Sequence, residues 1–79
     1  MYQIDELTLK GYKYVFESEN LMEIDKVVFK LTNNKIPCRI LHDEQLIVFL
    51  DGTMYQYTYW KNQYVRDNKI IKKLERLKR

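Results

Sequence analysis

His42 and Cys38 are the only histidine and the only cysteine of this chain, and they stand four positions apart. In an extended strand that spacing puts both side chains on one face. It is the least that a thiol–imidazole pair would need. Asp43 and Glu44 follow His42 directly. A general base needs a positioned partner and an enclosing pocket, whereas neighbours in a short polar stretch diverge. The expectation is therefore a solvated turn at residues 42–44 and a buried structural cysteine, with no catalytic residue. One Cys and one His fall short of the four ligands of a structural zinc site, so no metal is expected. With no Gly-rich phosphate loop and no nucleophile elbow in the chain, no cofactor is expected either.

The second group with chemical potential is cationic. At ~100° per residue, Lys69, Lys72, Lys73, Arg76 and Arg79 share one face of a helix. Ile70, Ile71, Leu74 and Leu77 form the opposite stripe, with Glu75 between the two and Lys78 near the apolar edge. Asp67 or Asn68 suits the N-cap. Residues 1–50 hold six Lys/Arg against eight Asp/Glu, and residues 51–79 hold eight against three, so the net +3 is concentrated at the C-terminal end. Five cations on one face neutralise phosphates and release counterions, which gives affinity for DNA or RNA whatever the sequence. Trp60, Lys61 and Tyr64, at the entrance to this helix, are added as exposed contacts, since aromatics beside cations stack unpaired bases. A solvated helix face whose cations offset the helix dipole has the same pattern.

The element that must carry these residues to the helix is read as a β-hairpin. Residues 46–50 are apolar and rich in β-branched and aromatic types, Asp51-Gly52 suits a type I′ turn, and residues 53–60 return. In that register Tyr55, Tyr57 and Tyr59 share a face with Leu46, Val48 and Leu50. Ile47, Phe49, Met54 and Trp60 share the other. Residues 26–31 and 36–41 read as a second hairpin around Asn33 and Asn34, with Pro37 at a strand start or edge. Residues 8–16 read as a further strand with a bulge at Gly11. Leu21, Ile24, Val28 and Leu31 also stand at helical spacing, with Asn20 as a cap and Glu23 three residues on. The β-branched and aromatic run at residues 27–29 favours a strand there.

The predicted fold is mainly β (α+β). It is a single domain over residues 1–79, with a small antiparallel meander of four to five strands over about 8–60. A basic amphipathic helix over about 66–78 closes it. If residues 20–33 are helical, the order becomes β-α-β-β-β-α. The part from residue 20 onward would then have the α-β-β-β-α order of double-stranded-RNA-binding domains, without any of that family's motifs.

With 79 residues and a single cysteine, the core is small and no disulfide within the chain supports it. A lone thiol suits a reducing, cytoplasmic (intracellular) setting. No targeting segment and no membrane span is read. Two functions follow. The first is a small non-catalytic accessory protein that binds nucleic acid through the basic helix. The second is a protein-interaction module, such as a small subunit or inhibitor of a larger enzyme, or a homodimer. The density of Tyr, Trp and Arg suits interface hot spots. The Lys-, Ile-, Asn- and Tyr-rich composition points to an AT-rich genome, in keeping with a phage or mobile-element accessory.

Overall fold

The structure is a computed structural model that describes the backbone of residues 1–65 and the side chains of residues 1–63. The expected C-terminal helix, with Lys69, Lys72, Lys73, Arg76 and Arg79, lies outside the described residues. The chain runs β1 (Tyr2–Thr8), β2 (Gly11–Ser18), α1 (Leu21–Asn33), β3 (Cys38–His42), β4 (Gln45–Leu50), α2 (Met54–Trp60) and a π-helical turn (Lys61–Val65). The four strands form one antiparallel sheet in the order β2-β1-β3-β4. The protein is thus α+β, with a four-stranded antiparallel sheet and helices on one face.

Three local readings are corrected. Leu21–Asn33 are helix, not strand, with Asn20 as the N-cap. Asn20 accepts the Met22 amide on its side-chain oxygen at 2.9 Å, and Ser18 Oγ donates to Glu23 at 2.7 Å. Ile24, Val28 and Leu31, the helical stripe, are buried. Side-chain capping and a continuous apolar face outweigh the β preference of Val27, Val28 and Phe29. Consequently residues 26–31 and 36–41 form no hairpin, and Pro37 precedes the start of β3.

The N-terminal strand is two strands. Gly11 has φ +110° and ends a tight turn, closed where Thr8 Oγ1 donates to the Gly11 carbonyl at 2.7 Å. The irregularity lies at Val15, which the register leaves unpaired between Ile4↔Phe16 and Asp5↔Tyr14. His42, Asp43 and Glu44 do make a turn, with Asp43 and Glu44 both at positive φ.

The Asp51-Gly52 pair breaks β4 but leads into a helix. Thr53 caps α2 by accepting the Gln56 amide, and the Gln56 side chain reaches back to the Asp51 amide at 2.8 Å. Asp51 Oδ1 accepts both the amide and the hydroxyl of Thr53, which lowers its pKa below the usual carboxylate value. Thr53-x-x-Gln56 is a capping box in all but the last partner. Over the described residues the order is therefore β-β-α-β-β-α, followed by the π-helical turn. Within them it differs from β-α-β-β-β-α and from the α-β-β-β order that opens double-stranded-RNA-binding domains.

The core lies between the sheet and the helices. Ile4, Cys38, Ile40 and Leu50 from the strands meet Ile24, Val28 and Leu31 of α1 and Tyr57 and Trp60 of α2.

Candidate interaction face

Helices cover one face of the sheet, and the strand alternation assigns the residues of the other. Ile4 is fully buried under α1, so its neighbour Asp5 lies on the face that none of the described helices covers, the uncovered face. Asp5 sits opposite Tyr14 on one side and Arg39 on the other, and Arg39 sits opposite Phe49. Directly opposed residues share a face. One row, Tyr14–Asp5–Arg39–Phe49, therefore crosses all four strands. A parallel row runs Glu17–Gln3–Leu41–Leu46, and Leu7 sits opposite Tyr12. Leu46 joins Phe49 on this face because Ile47 is left unpaired in β4.

The centre of the face is a closed polar network. Arg39 Nε donates to Asp5 Oδ2 at 2.9 Å, and Gln3 Nε2 donates to Asp5 Oδ1 at 2.8 Å. The Arg39 guanidinium lies 3.8 Å over the Tyr12 ring. Asp5 keeps only 3% of its surface exposed, so a buried carboxylate has both oxygens bonded. Around it Leu7, Tyr12, Tyr14, Leu46 and Phe49 each remain 39–61% exposed. From the usual size of such side chains, that is roughly 500 Å² of largely apolar surface. A patch of this extent is at the upper end for a free monomer and is commonly functional. The Tyr14 phenol is held above its ordinary pKa by desolvation and then by Glu17. Besides the paired Asp5 and Arg39, Glu17 is the charged residue among the strand residues of this face, and it interacts with the Tyr14 hydroxyl and the Met1 ammonium.

The residues singled out from the sequence are placed differently. Trp60 is not an exposed contact: it is 4% exposed and packs with Tyr57 in the core. The Lys61 ammonium lies 3.4 Å from Asp25 and 5.8 Å over the Tyr57 ring, with its side chain half-exposed. Tyr64 belongs to the π-helical turn, and nothing further is described of it. Of the hairpin tyrosines, Tyr57 is core, whereas Tyr55 and Tyr59 are exposed on α2. The charge division sharpens at the end of the described chain. Residues 1–65 hold seven Lys/Arg against nine Asp/Glu, and residues 66–79 hold seven against two.

The two residues with catalytic potential are otherwise engaged. Cys38 is buried against the core, and burial pushes its thiol up to about 11, so the thiolate nucleophile is suppressed. His42 stacks on Tyr2 with ring centres 4.3 Å apart, and Asp43 is drawn to the Met1 ammonium at 2.8 Å. Among the described residues, no cluster of three or more His, Cys, Asp or Glu is placed to hold a metal ion. No helix among them is long and apolar enough to cross a membrane.

The Tyr12–Tyr14–Arg39–Phe49 constellation is not among the residues expected from the sequence. Its signal was the alternation of Tyr12, Lys13 and Tyr14 within a segment already read as a strand. No protein-family model, curated protein or solved structure matches this chain.

Proposed function

We propose that this chain is a small non-catalytic accessory protein, a protein-interaction module that docks through the uncovered face of its sheet. The Tyr14–Asp5–Arg39–Phe49 row carries this reading. Tyr and Arg supply much of the binding energy at protein interfaces, especially where water is excluded around them. Here the Arg39 charge is already neutralised, so a partner covers it without leaving an unpaired ion. The roughly 500 Å² of apolar surface suits the centre of a standard interface of ~800 Å² per partner. Among the described strand residues of the face, the cation Arg39 is paired with Asp5 and the remaining charge, Glu17, is an anion, which disfavours phosphate. A small subunit or inhibitor of a larger enzyme fits, and the lone buried thiol suits the reducing interior of a cell.

The test pairs Tyr14→Ser with Phe49→Ser, both at half-exposed positions, so the fold is retained. Wild-type protein purified from its native host should carry a stoichiometric partner that the double variant loses. A wild-type chain with no such partner, or a variant that keeps it, ends this reading.

The charge division supports a second reading: an acidic body with a basic segment at 66–79 that holds DNA or RNA. Lys69, Lys72, Lys73, Arg76 and Arg79 would contact phosphates. For five such contacts, log affinity falls against log salt with a slope of about −4.5. Changing Lys69, Lys72, Lys73 and Arg76 to Glu should abolish binding. If the wild-type chain binds neither single nor double strands at low salt, this second reading fails.

A further inference from the structure

The outer edge of β4 offers a backbone donor and acceptor at Phe49. The Leu7 amide donates to the Pro37 carbonyl at 2.8 Å, and the Asp43 amide to the Met1 carbonyl at 3.2 Å. Both contacts continue the β1–β3 register, in which hydrogen-bonded and non-bonded pairs alternate. Asp5↔Arg39 is therefore a bonded pair, and the N–H and C=O of Arg39 point to β1. Phe49 faces Arg39 from the other side in a non-bonded pair, so its own N–H and C=O point away from β3. Among the described residues no strand lies there. Gln45–Leu50 also contains no Lys, Arg, Asp, Glu or Pro, whereas β2 at the opposite edge carries Lys13 and Glu17. Charged residues and Pro are the usual guards against edge-to-edge pairing.

A groove opens beside this edge, between β4 and α2. Ile47, Val48 and Leu50 line one side and Tyr55 and Tyr59 the other, and none of its described lining residues is charged. Tyr55 and Tyr59 stand at its rim 81% and 63% exposed.

We propose that β4 pairs antiparallel with β4 of a second copy of this chain, with Phe49 opposite Phe49 on a two-fold axis. Each Phe49 N–H then donates to the Phe49 carbonyl of the other copy. On the helix side of the sheet, Val48 of one copy lies beside Leu50 of the other. On the uncovered side, the row Tyr14–Asp5–Arg39–Phe49 runs on into its symmetry mate across eight strands. The area, the charge and the symmetry favour a second copy. At the usual size of an aromatic side chain, the exposed parts of Phe49, Tyr55 and Tyr59 come to roughly 370 Å² per copy. That is nearly half of the ~800 Å² per partner in a stable interface, and the β4 backbone with the half-buried Ile47 and Val48 adds to it. With no charge on the strand, self-pairing sets no like charges opposite each other within β4. An edge that meets itself closes a dimer, whereas β4 against β2 would run on as a filament, which Lys13 and Glu17 oppose.

The test uses the purified full chain, by sedimentation equilibrium and by amide hydrogen exchange read in NMR spectra over a range of concentrations. A dimer should form. The Phe49 amide should gain roughly tenfold or more in protection from the dilute to the concentrated sample, as its hydrogen bond forms. Ile47→Glu sets a carboxylate opposite Asp51 of the other copy and should weaken dimerisation by roughly tenfold or more. A dispersed spectrum checks that this variant is folded, and the exchange result in the wild-type chain decides if it is not. A chain that stays monomeric at every concentration would overturn the proposal. So would a dimer whose Phe49 amide exchanges as freely as in the dilute sample, or a Phe49 amide equally protected at every concentration, or a folded Ile47→Glu variant that dimerises as well as wild type. No other protein takes part in these measurements, so their failure and the failure of the proposed function are distinguishable.

Discussion

The Tyr57 hydroxyl donates to the Asp25 carboxylate at 2.6 Å, a bond buried in the core between residues 32 positions apart. It ties α2 to α1. The Lys61 ammonium lies 3.4 Å from the second Asp25 oxygen. Desolvation first, then the Asp25 carboxylate, pushes the Tyr57 phenol well above its ordinary pKa. The burial pattern around this contact is that of a helix. Tyr57 and Trp60 are buried at a spacing of three residues while Tyr55 and Tyr59 are exposed. Two-residue alternation cannot produce that pattern, and helical spacing can.

Tyr57→Phe removes the donor and leaves a buried carboxylate with Lys61 alone. The expected loss is about 1–3 kcal/mol of unfolding free energy, the usual cost of an unsatisfied buried group. Lys61→Met should cost less than about 1 kcal/mol, because the ammonium is half-exposed and screened by water. Urea denaturation of the two variants checks the order, and a larger loss for Lys61→Met would contradict it.

Cys38 makes stability sensitive to alkali. Burial raises its thiol from 9.0 to about 11 in the fold. The folded state therefore holds its proton while the unfolded chain releases it. The contribution is complete below pH 9 and is lost as pH rises towards 11. A shift of this size corresponds to roughly 2–3 kcal/mol. Cys38→Val should flatten that part of the stability–pH curve. Tyr57 adds a loss of the same sign above pH 10, so the comparison with Cys38→Val isolates the thiol.

The two glycines should respond differently to alanine. Both have positive φ, +110° at Gly11 and +90° at Gly52. A Cβ at Gly11 meets nothing within 4 Å, whereas at Gly52 it lies 3.0 Å from the Lys35 carbonyl carbon and oxygen. Gly11→Ala should cost about 1–2 kcal/mol of backbone strain. Gly52→Ala should add roughly 1–3 kcal/mol more, since backbone must move. Thermal unfolding of the two variants side by side reads the difference.

The strand at β4, the turn at residues 42–44, the buried Cys38 and the α+β character were legible because each rests on local pattern. Helix α1 was legible in its stripe of Ile24, Val28 and Leu31, but the β-branched and aromatic run Val27, Val28 and Phe29 carries the opposite local preference. Tyrosine-rich residues 53–60 read as strand by composition, although Thr53 and Gln56 already stood at capping-box spacing. The uncovered face was not legible, because it depends on long-range register. Only the pairing of β1 with β3 brings Arg39 beside Asp5, and only the bulge at Ile47 turns Leu46 to the side of Phe49. Trp60, taken as an exposed contact by its place before the basic segment, is core for the same reason as Tyr57.

The most direct test of the uncovered sheet face is site-specific photo-crosslinking in the native host. A photoreactive residue replaces Tyr14, exposed on the β2 end of the face, or Lys26 on the solvent side of α1 as control. One discrete adduct is expected from position 14, none from position 26, and the adduct should be lost when Phe49→Ser is added. An adduct that forms equally from both positions, or none from position 14, would contradict it.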